Sequence, residues 1–600
     1  MLNKTVLLAA VAVAIITYPK LQVTAHSGAH PVRYVSASGT DNGVCDKASA
    51  PCKTIVYAVN QSSKGDEVRV AKGNYPVKGI DLFYLLSDMV VIKGGFSTDF
   101  KNRNKDKFLT SIIGIPGEYR KKLDKRGFHL LSDSKEFDIQ LSIEDRKLLN
   151  QYKQMTTKIE GPAECVDGKA LGYECHNIDL QSHMPLNEFS STPSSANDIW
   201  GHTDLNNQKE YAIIGLRGST AFVDISDPTN PIEVATIGGN GSTWRDIKVY
   251  QHFDNTANKY KAYAYVTTDK ADQGMQIIDL SNLPTNVTLI KTLNDFSEAH
   301  NVFISNLDYS DNTALSGLIP MIYISGSNLN TGDEKGSYQI YNLTDPADPQ
   351  LEANSGSGAG YIHDAASFVI DDARTASCNN HSPCEILIDF NAYNLDIWDI
   401  TDKSAPYKIK NISYTTSDYI HSGWWSEDKM TIFIQNELDE QRKGVNTTLE
   451  ALDISDLNNP QIIGTYVGQT AAIDHNGFTL GTEYYMSNYR RGLSLIDISD
   501  PSNMTDIGFF DTFSIPATNS ANFNGAWGVY PYLPSGNVIV SDLEYGLFVL
   551  KVNKNDGEMP TTTPQEPDPE PEPEPVTSSS GGGSFGILAL IFLGLIRRQF

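Results

Sequence analysis

Short apolar-rich runs, bounded by Asp, Ser, Asn, Pro or Gly, recur from about residue 161 to residue 553. The run LSLIDIS from Leu493 is preceded by HNGFTL and EYYMSNY, and the turn DPSN after it leads into DIGFFDTF. Runs of this length, rich in β-branched and aromatic residues and closed by turn formers, predict strands. The same quartet recurs with TAFVDISDPTNPIEVATI from Thr220, MQIIDLSNLPTNVTLIKTL from Met275 and YQIYNLTDPADPQLEA from Tyr338. It returns with LDIWDITDKSAPYKIKNI from Leu395, LEALDISDLNNPQIIGTY from Leu449 and, truncated, GLFVLKVN from Gly546.

The marker of each copy is Asp224, Asp279, Asn342, Asp399, Asp453, Asp497 and Lys551, so successive copies lie 55, 63, 57, 54, 44 and 54 residues apart. Four short antiparallel strands at such a period describe the blades of a propeller. The Asp-Ile-Ser-Asp-Pro stretch then has a structural reading: an Asp or Ser side chain caps the free N–H groups of a tight turn, and Pro fixes φ as the chain reverses. The last copy lacks a fourth strand. NIDLQSHMPL, Asn177–Leu186, precedes the first blade with a strand pattern and is expected to supply it, which would remove an open sheet edge.

The remainder reads differently. Lys4, the apolar run Val6–Ile16 and Val23-Thr24-Ala25 before His26 form the pattern of a secretory signal over residues 1–25. Six cysteines fall in close pairs, Cys45 with Cys52, Cys165 with Cys175 and Cys378 with Cys384. In an oxidising compartment these read as local staples, although six cysteines allow 15 connectivities. Residues 132–160 carry spaced apolar residues in FDIQLSIEDRKLLNQYKQM and predict a helical linker. Residues 554–580 hold PQEPDPEPEPEP, which predicts an extended polyproline spacer. Residues 581–600 hold Gly581, Gly582 and Gly583, the 12-residue apolar run Phe585–Ile596 and then Arg597 and Arg598. That run is short for a bilayer span, which takes about 20 residues. The formal charge of -26 repels phosphate backbones and excludes nucleic acid as an expected partner.

The tail resembles the GlyGly-CTERM sorting signal of Gram-negative bacteria. The resemblance implies a processing protease of rhombosortase type, delivery to the cell surface or release, and a membrane contact only through the tail before processing. The LVIVD-like repeats, with AIDHNGF (Ala472–Phe478) and NGAWGVYPYLPSGNVIVSDLEYGLFVL (Asn524–Leu550), resemble the choice-of-anchor B family of bacterial surface proteins over about residues 160–553. Residues 31–131, with YVSASGTDNGVCDKASAPCKTIVYAV and GDEVRVAKGNYPV, resemble the first coils of secreted right-handed parallel β-helices. The expected architecture is therefore mainly β: a β-helix-like module over 31–131 and a seven-bladed β-propeller over 161–553.

Aligning the first strand of each blade gives one channel-side position per repeat. These are Trp200, Arg245, His300, His363, His421, His475 and Trp527, so four consecutive blades carry His, each followed by Asn, Asp or Ser. His202 lies on the same strand face as Trp200. Propeller geometry adds Glu437, Asp439, Glu440, Arg490, Arg491, Asp542 and Glu544 to the face where the ring begins. Neutral imidazoles with carboxylates nearby suit a transition metal, and protonated ones suit an anion. The same residues also suit inter-blade hydrogen bonding, and Arg245 weighs against a ring given wholly to metal. GSNLNTGDEKGS, Gly326–Ser337, is a candidate calcium loop without the alternating acids of an EF-hand. No G-x-S-x-G, H-E-x-x-H or P-loop motif is present in the sequence. Two function classes follow: an exported, surface-anchored binding protein for a surface or extracellular ligand, and a metal-dependent hydrolase or oxidoreductase using the ring.

Overall fold

The computed structural model describes residues 32–62, 65–77, 84–85, 90–115, 117–131, 143–328, 338–354, 362–413, 417, 419–514 and 521–553. The expected signal segment, the Pro/Glu-rich spacer, the Gly581–Gly583 tail and Leu329–Ser337 of the candidate calcium loop lie outside them.

Seven antiparallel sheets follow one another, each with four core strands from the channel outward, in sequential order in the first six and with the fourth strand of the seventh drawn from before the first blade. Their first strands are Ala196–Asp204, Trp244–Asp254, Asn301–Ile304, Asp364–Ile370, Ser422–Trp425, Asn476–Leu480 and Ala526–Tyr530. The second strands carry the core. Lys209–Leu216 of the first blade is buried along nearly its whole length, whereas the outer strand Ile232–Gly238 is partly exposed. This follows from stacking blades face to face, which buries both faces of every inner strand and leaves only the fourth strand against water.

The repeated turn does what its composition predicts. Asp224, Asp279, Asn342, Asp399, Asp453 and Asp497 each accept, through Oδ1, the backbone N–H two residues on, at 2.8–3.3 Å. In all seven blades the third and fourth strands slip register one or two residues before the marker, as between Phe222 and Val223 or Leu495 and Ile496. A bulge there adds local twist, which turns the outer strand across its neighbour.

The ring closes as the sequence predicts. Ile178–Met184 pairs antiparallel with Gly546–Val552, from Leu547 with Met184 to Val552 with Ile178. Gly546 is required at this seam: it sits at φ +91, and a Cβ there would stand 2.5 Å from the Met184 carbonyl oxygen.

The third blade breaks the repeat. In the third blade the chain between Ile304 and Met321 leaves the sheet, and Thr313 pairs in parallel with Gln251 of the second blade. It carries Tyr309 into an aromatic floor at one end of the channel, within 6.3 Å of the rings of Trp200, Trp424, Trp425 and Tyr532.

Before the propeller stand two three-stranded parallel sheets, Val32–Val35 with Glu67–Ala71 and Val91–Phe96, and Gly73–Pro76 with Thr110–Ile113 and His129–Leu131. The helix Ile143–Met155 follows and contacts both parts: Tyr152 meets Tyr119 at 5.7 Å and Tyr545 at 6.3 Å. The disulfides join Cys45–Cys52, Cys165–Cys175 and Cys378–Cys384. Among the described residues no helix is long and apolar enough to cross a membrane.

Candidate functional site

The four histidines stand at the same register in four successive blades. Each immediately precedes its first strand, and each backbone N–H donates to the second strand: His300 to Ser325, His363 to Phe390, His421 to Gln435 and His475 to Ser487. Equal register places the four Cβ atoms at one height around the axis. The imidazoles then touch in series, with ring centroids 4.3 Å apart for His300 and His363, 4.3 Å for His363 and His421, and 4.6 Å for His421 and His475. Trp527 continues the series 4.6 Å from His475.

Part of this arrangement is structural. His363 Nδ1 bonds the His421 carbonyl at 2.8 Å, and His475 Nδ1 bonds the Trp527 carbonyl at 2.5 Å, so each imidazole ties its blade to the next. A carbonyl can only accept, so both Nδ1 atoms carry a proton, and in the neutral ring Nε2 carries the lone pair. His300 Nδ1 lies 3.0 Å from Asp269 Oδ2.

The histidines, Arg245 and Trp527 line one axial cavity together with Trp244, Asp198 and Asp246. Trp200 lies deeper than its alignment suggests. Its indole N–H donates to Asn312 at 2.9 Å, and its ring packs on Tyr530 in the aromatic floor, so Asp198 is the first blade's contribution to the cavity. A register slip between Ala196 and Ile199 accounts for the offset. His202 is buried beside Tyr211, and neither ring nitrogen has a hydrogen-bond partner; burial drives its pKa down to about 4. Arg245 aims its guanidinium at backbone, donating to the Leu216 and Asn240 carbonyls at 3.0 and 2.7 Å.

Directly beneath the histidines is a second level that the alignment passed over. Asp198, Asp246, Asn301, Asp364, Ser422 and Asn476 line an adjoining cavity around Lys248. Lys248 Nζ is 2.8 Å from Asp246 and 3.7 Å from Asp198, and 4.6 Å above the Trp200 ring. Burial opposes charge on Lys248, but the two carboxylates outweigh it and raise its pKa. Burial and then the Asp246 charge push Asp364 up to about 7. The signal for this level was present in the sequence, since five of these residues directly follow a ring position.

Glu437 is buried between His421 and His475. Its Oε2 lies 3.6 Å from His421 Nε2 and its Oε1 3.7 Å from His475 Nε2, while Tyr489 donates its hydroxyl to Oε1 at 2.8 Å. Asp439 does not join them: it opens the helix Asp439–Lys443 and pairs with Lys443 at 2.9 Å. Burial and then the Asp474 charge raise the carboxyl of Glu440 on that helix, and burial raises Asp474 to about 7. Arg490 bonds Asn524 at 3.0 Å and reaches Tyr84 of the N-terminal part at 3.4 Å. Arg491 covers the Phe509 ring, Asp542 accepts from Thr512, and Glu544 from Asn524. These last groups brace loops of this face.

The fold and this axial cavity define the class, a seven-bladed β-propeller with a polar channel closed at one end by aromatic rings. Within that class the chain carries LVIVD repeats: residues 207–237, 260–295 and 485–512 match the LVIVD repeat family, and they fall in the first, second and sixth blades. No curated protein matches the sequence. Among solved structures, a functionally unknown protein from Desulfotomaculum acetoxidans DSM 771 is similar at 12% identity over 52% of this chain and 88% of that chain, with a TM-score of 0.34. A protein from Lactobacillus plantarum is similar at 12% identity over 58% and 89%, with a TM-score of 0.35. A putative 6-phosphogluconolactonase from Bacteroides fragilis NCTC 9343 is similar at 10% identity over 59% and 89%, with a TM-score of 0.34.

Proposed function

We propose that the protein is an exported binding propeller of a Gram-negative envelope, of choice-of-anchor B type, that holds a small polar ligand in its axial cavity. The observation that carries this reading is the run of four imidazoles in mutual contact, all lining one cavity with Arg245 and Asp198. Three local disulfides support an extracellular setting. The two small parallel sheets at the N-terminus support the β-helix-like reading of residues 31–131. The tail Gly581–Phe600 is read as a GlyGly-CTERM signal cut by a rhombosortase-type protease, leaving the protein at the surface or released.

A thermal-shift panel of inorganic phosphate, small carboxylates and sugars, with and without added zinc, tests the binding reading. At least one solute is expected to stabilise the wild type and not His363→Ala. If none discriminates between the two proteins, the cavity is a structural seam. Intact-mass measurement on the envelope and medium fractions tests export, and a mature chain retaining Phe585–Phe600 contradicts the sorting assignment.

A further inference from the structure

We infer that His421, His475 and Glu437 bind one divalent transition-metal ion of zinc or iron type at the edge of the axial cavity. The inference rests on the reading of that cavity as a ligand site and adds the identity of the group that occupies part of it.

The geometry is that of a ligand set. One ligand atom from each residue lies within 4.8 Å of the others, and all three residues are buried. The two Nε2 atoms face the two oxygens of one carboxylate at 3.6 and 3.7 Å. That is beyond hydrogen-bond range, since a charged N–H···O contact closes to about 2.7–2.9 Å. It is close to the spacing of two ligands around a shared ion: metal–ligand bonds of about 2.1 Å at a tetrahedral angle put neighbouring ligand atoms about 3.4 Å apart.

The Nδ1 proton of His475 is committed to the Trp527 carbonyl, so the neutral ring offers Nε2 to a metal ion on the Glu437 side. Outer groups fix the ligands in the usual manner of metal sites: the Trp527 carbonyl orients His475, and the Tyr489 hydroxyl orients Glu437.

The Arg245 guanidinium, the cation of the ring level, is engaged with the Leu216 and Asn240 carbonyls. Two imidazoles with one carboxylate select zinc, iron, cobalt, nickel or copper over calcium and magnesium, and three protein ligands leave a coordination position open. His421 and His475 also line the cavity. The other grouping of metal-ligand types among the described residues, Cys378, Cys384 and Asp399, has its thiols closed in a disulfide.

The test is metal titration of the chelator-stripped full-length protein with zinc(II) and cobalt(II), read by elemental stoichiometry and by the visible absorption of the cobalt form. One ion per chain is expected. Glu437→Gln, His421→Ala and His475→Ala should each weaken binding by about 100-fold or more, and Tyr489→Phe by about 10-fold. His252→Ala, on the first strand of the second blade but outside the cavity, should retain the ion. If a histidine variant fails to fold, X-ray absorption on the wild-type zinc form replaces it and must show two imidazoles and oxygen. A wild type that binds no ion, or one whose affinity is unchanged in Glu437→Gln, overturns the inference. Metal retention is read without any solute, so an inactive solute panel leaves this result standing, and the reverse also holds.

Discussion

The ring of His183 stacks on Phe548 with centroids 4.2 Å apart and planes 18° from parallel. A residue that precedes the first blade thus packs into the last one. His183 Nε2 bonds the Tyr545 carbonyl at 2.7 Å in the same seam, and the strand bearing it buries Ile178, Leu180 and Met184 completely or nearly so.

Deleting Asn177–Leu186 should therefore lower stability by several kcal/mol, since three buried apolar side chains contribute about 1.5–3 kcal/mol each and a sheet edge is opened. Deleting residues 32–131 should leave a cooperative propeller, because that part has its own core around Val35, Val68, Ile92 and Ile112. Thermal unfolding of the two truncations gives the comparison. An unchanged midpoint for the first would contradict closure by this strand.

Acid should loosen the same seam. Burial depresses the His183 pKa from 6.5 to about 4, against the opposing pull of the Tyr545 and Thr157 carbonyls. The folded state holds the neutral ring, so this contribution is fully present above pH 6.5 and is lost as pH falls toward 4. The loss is about 3 kcal/mol at most. His183→Gln, which keeps a donor for Tyr545, should flatten that part of the stability profile.

Asp511 acts with the opposite sign. Burial raises its pKa from 3.8 to about 7, although Arg491 and the Phe513 N–H favour the charged form. The folded state holds the extra proton between those values, so stability falls as pH rises from about 4 to 7. The two effects partly cancel in the wild type. Asp511→Asn should expose the acid-side loss due to His183, and denaturant midpoints at several pH values would show the change of slope.

Trp200→Ala should cost about 3–5 kcal/mol, the usual range for a buried large aromatic. It removes the hydrogen bond to Asn312 and the edge contacts to Tyr309, Phe478 and Tyr530. Trp200→Phe should cost less, because most of the apolar contact survives. Equal losses in calorimetry would mean that the Asn312 hydrogen bond, and not the packing, holds the floor.

Period and turn chemistry were legible in the chain because each is local. The Asp-Ile-Ser corners declare themselves through side chains that bond backbone two residues away, and the missing fourth strand of the last copy pointed to Asn177–Leu186. The histidines were legible as a ring because one register repeats in four blades. The floor was not. Tyr309 and Asn312 sit in an insertion that breaks the repeat, and nothing in their neighbours along the chain says that they reach the first blade.

The sequence by itself determined the number of blades, their closure and the height at which four imidazoles stand, since these follow from strand period and register. It did not determine which of them share a partner. Register treats the four alike, yet Glu437 lies between His421 and His475. That choice depends on where the chain goes after the second strand of the fifth blade, and on Tyr489 of the next blade turning the carboxylate inward. Such a contact joins side chains from different blades, and only packing the blades around one axis brings them within reach.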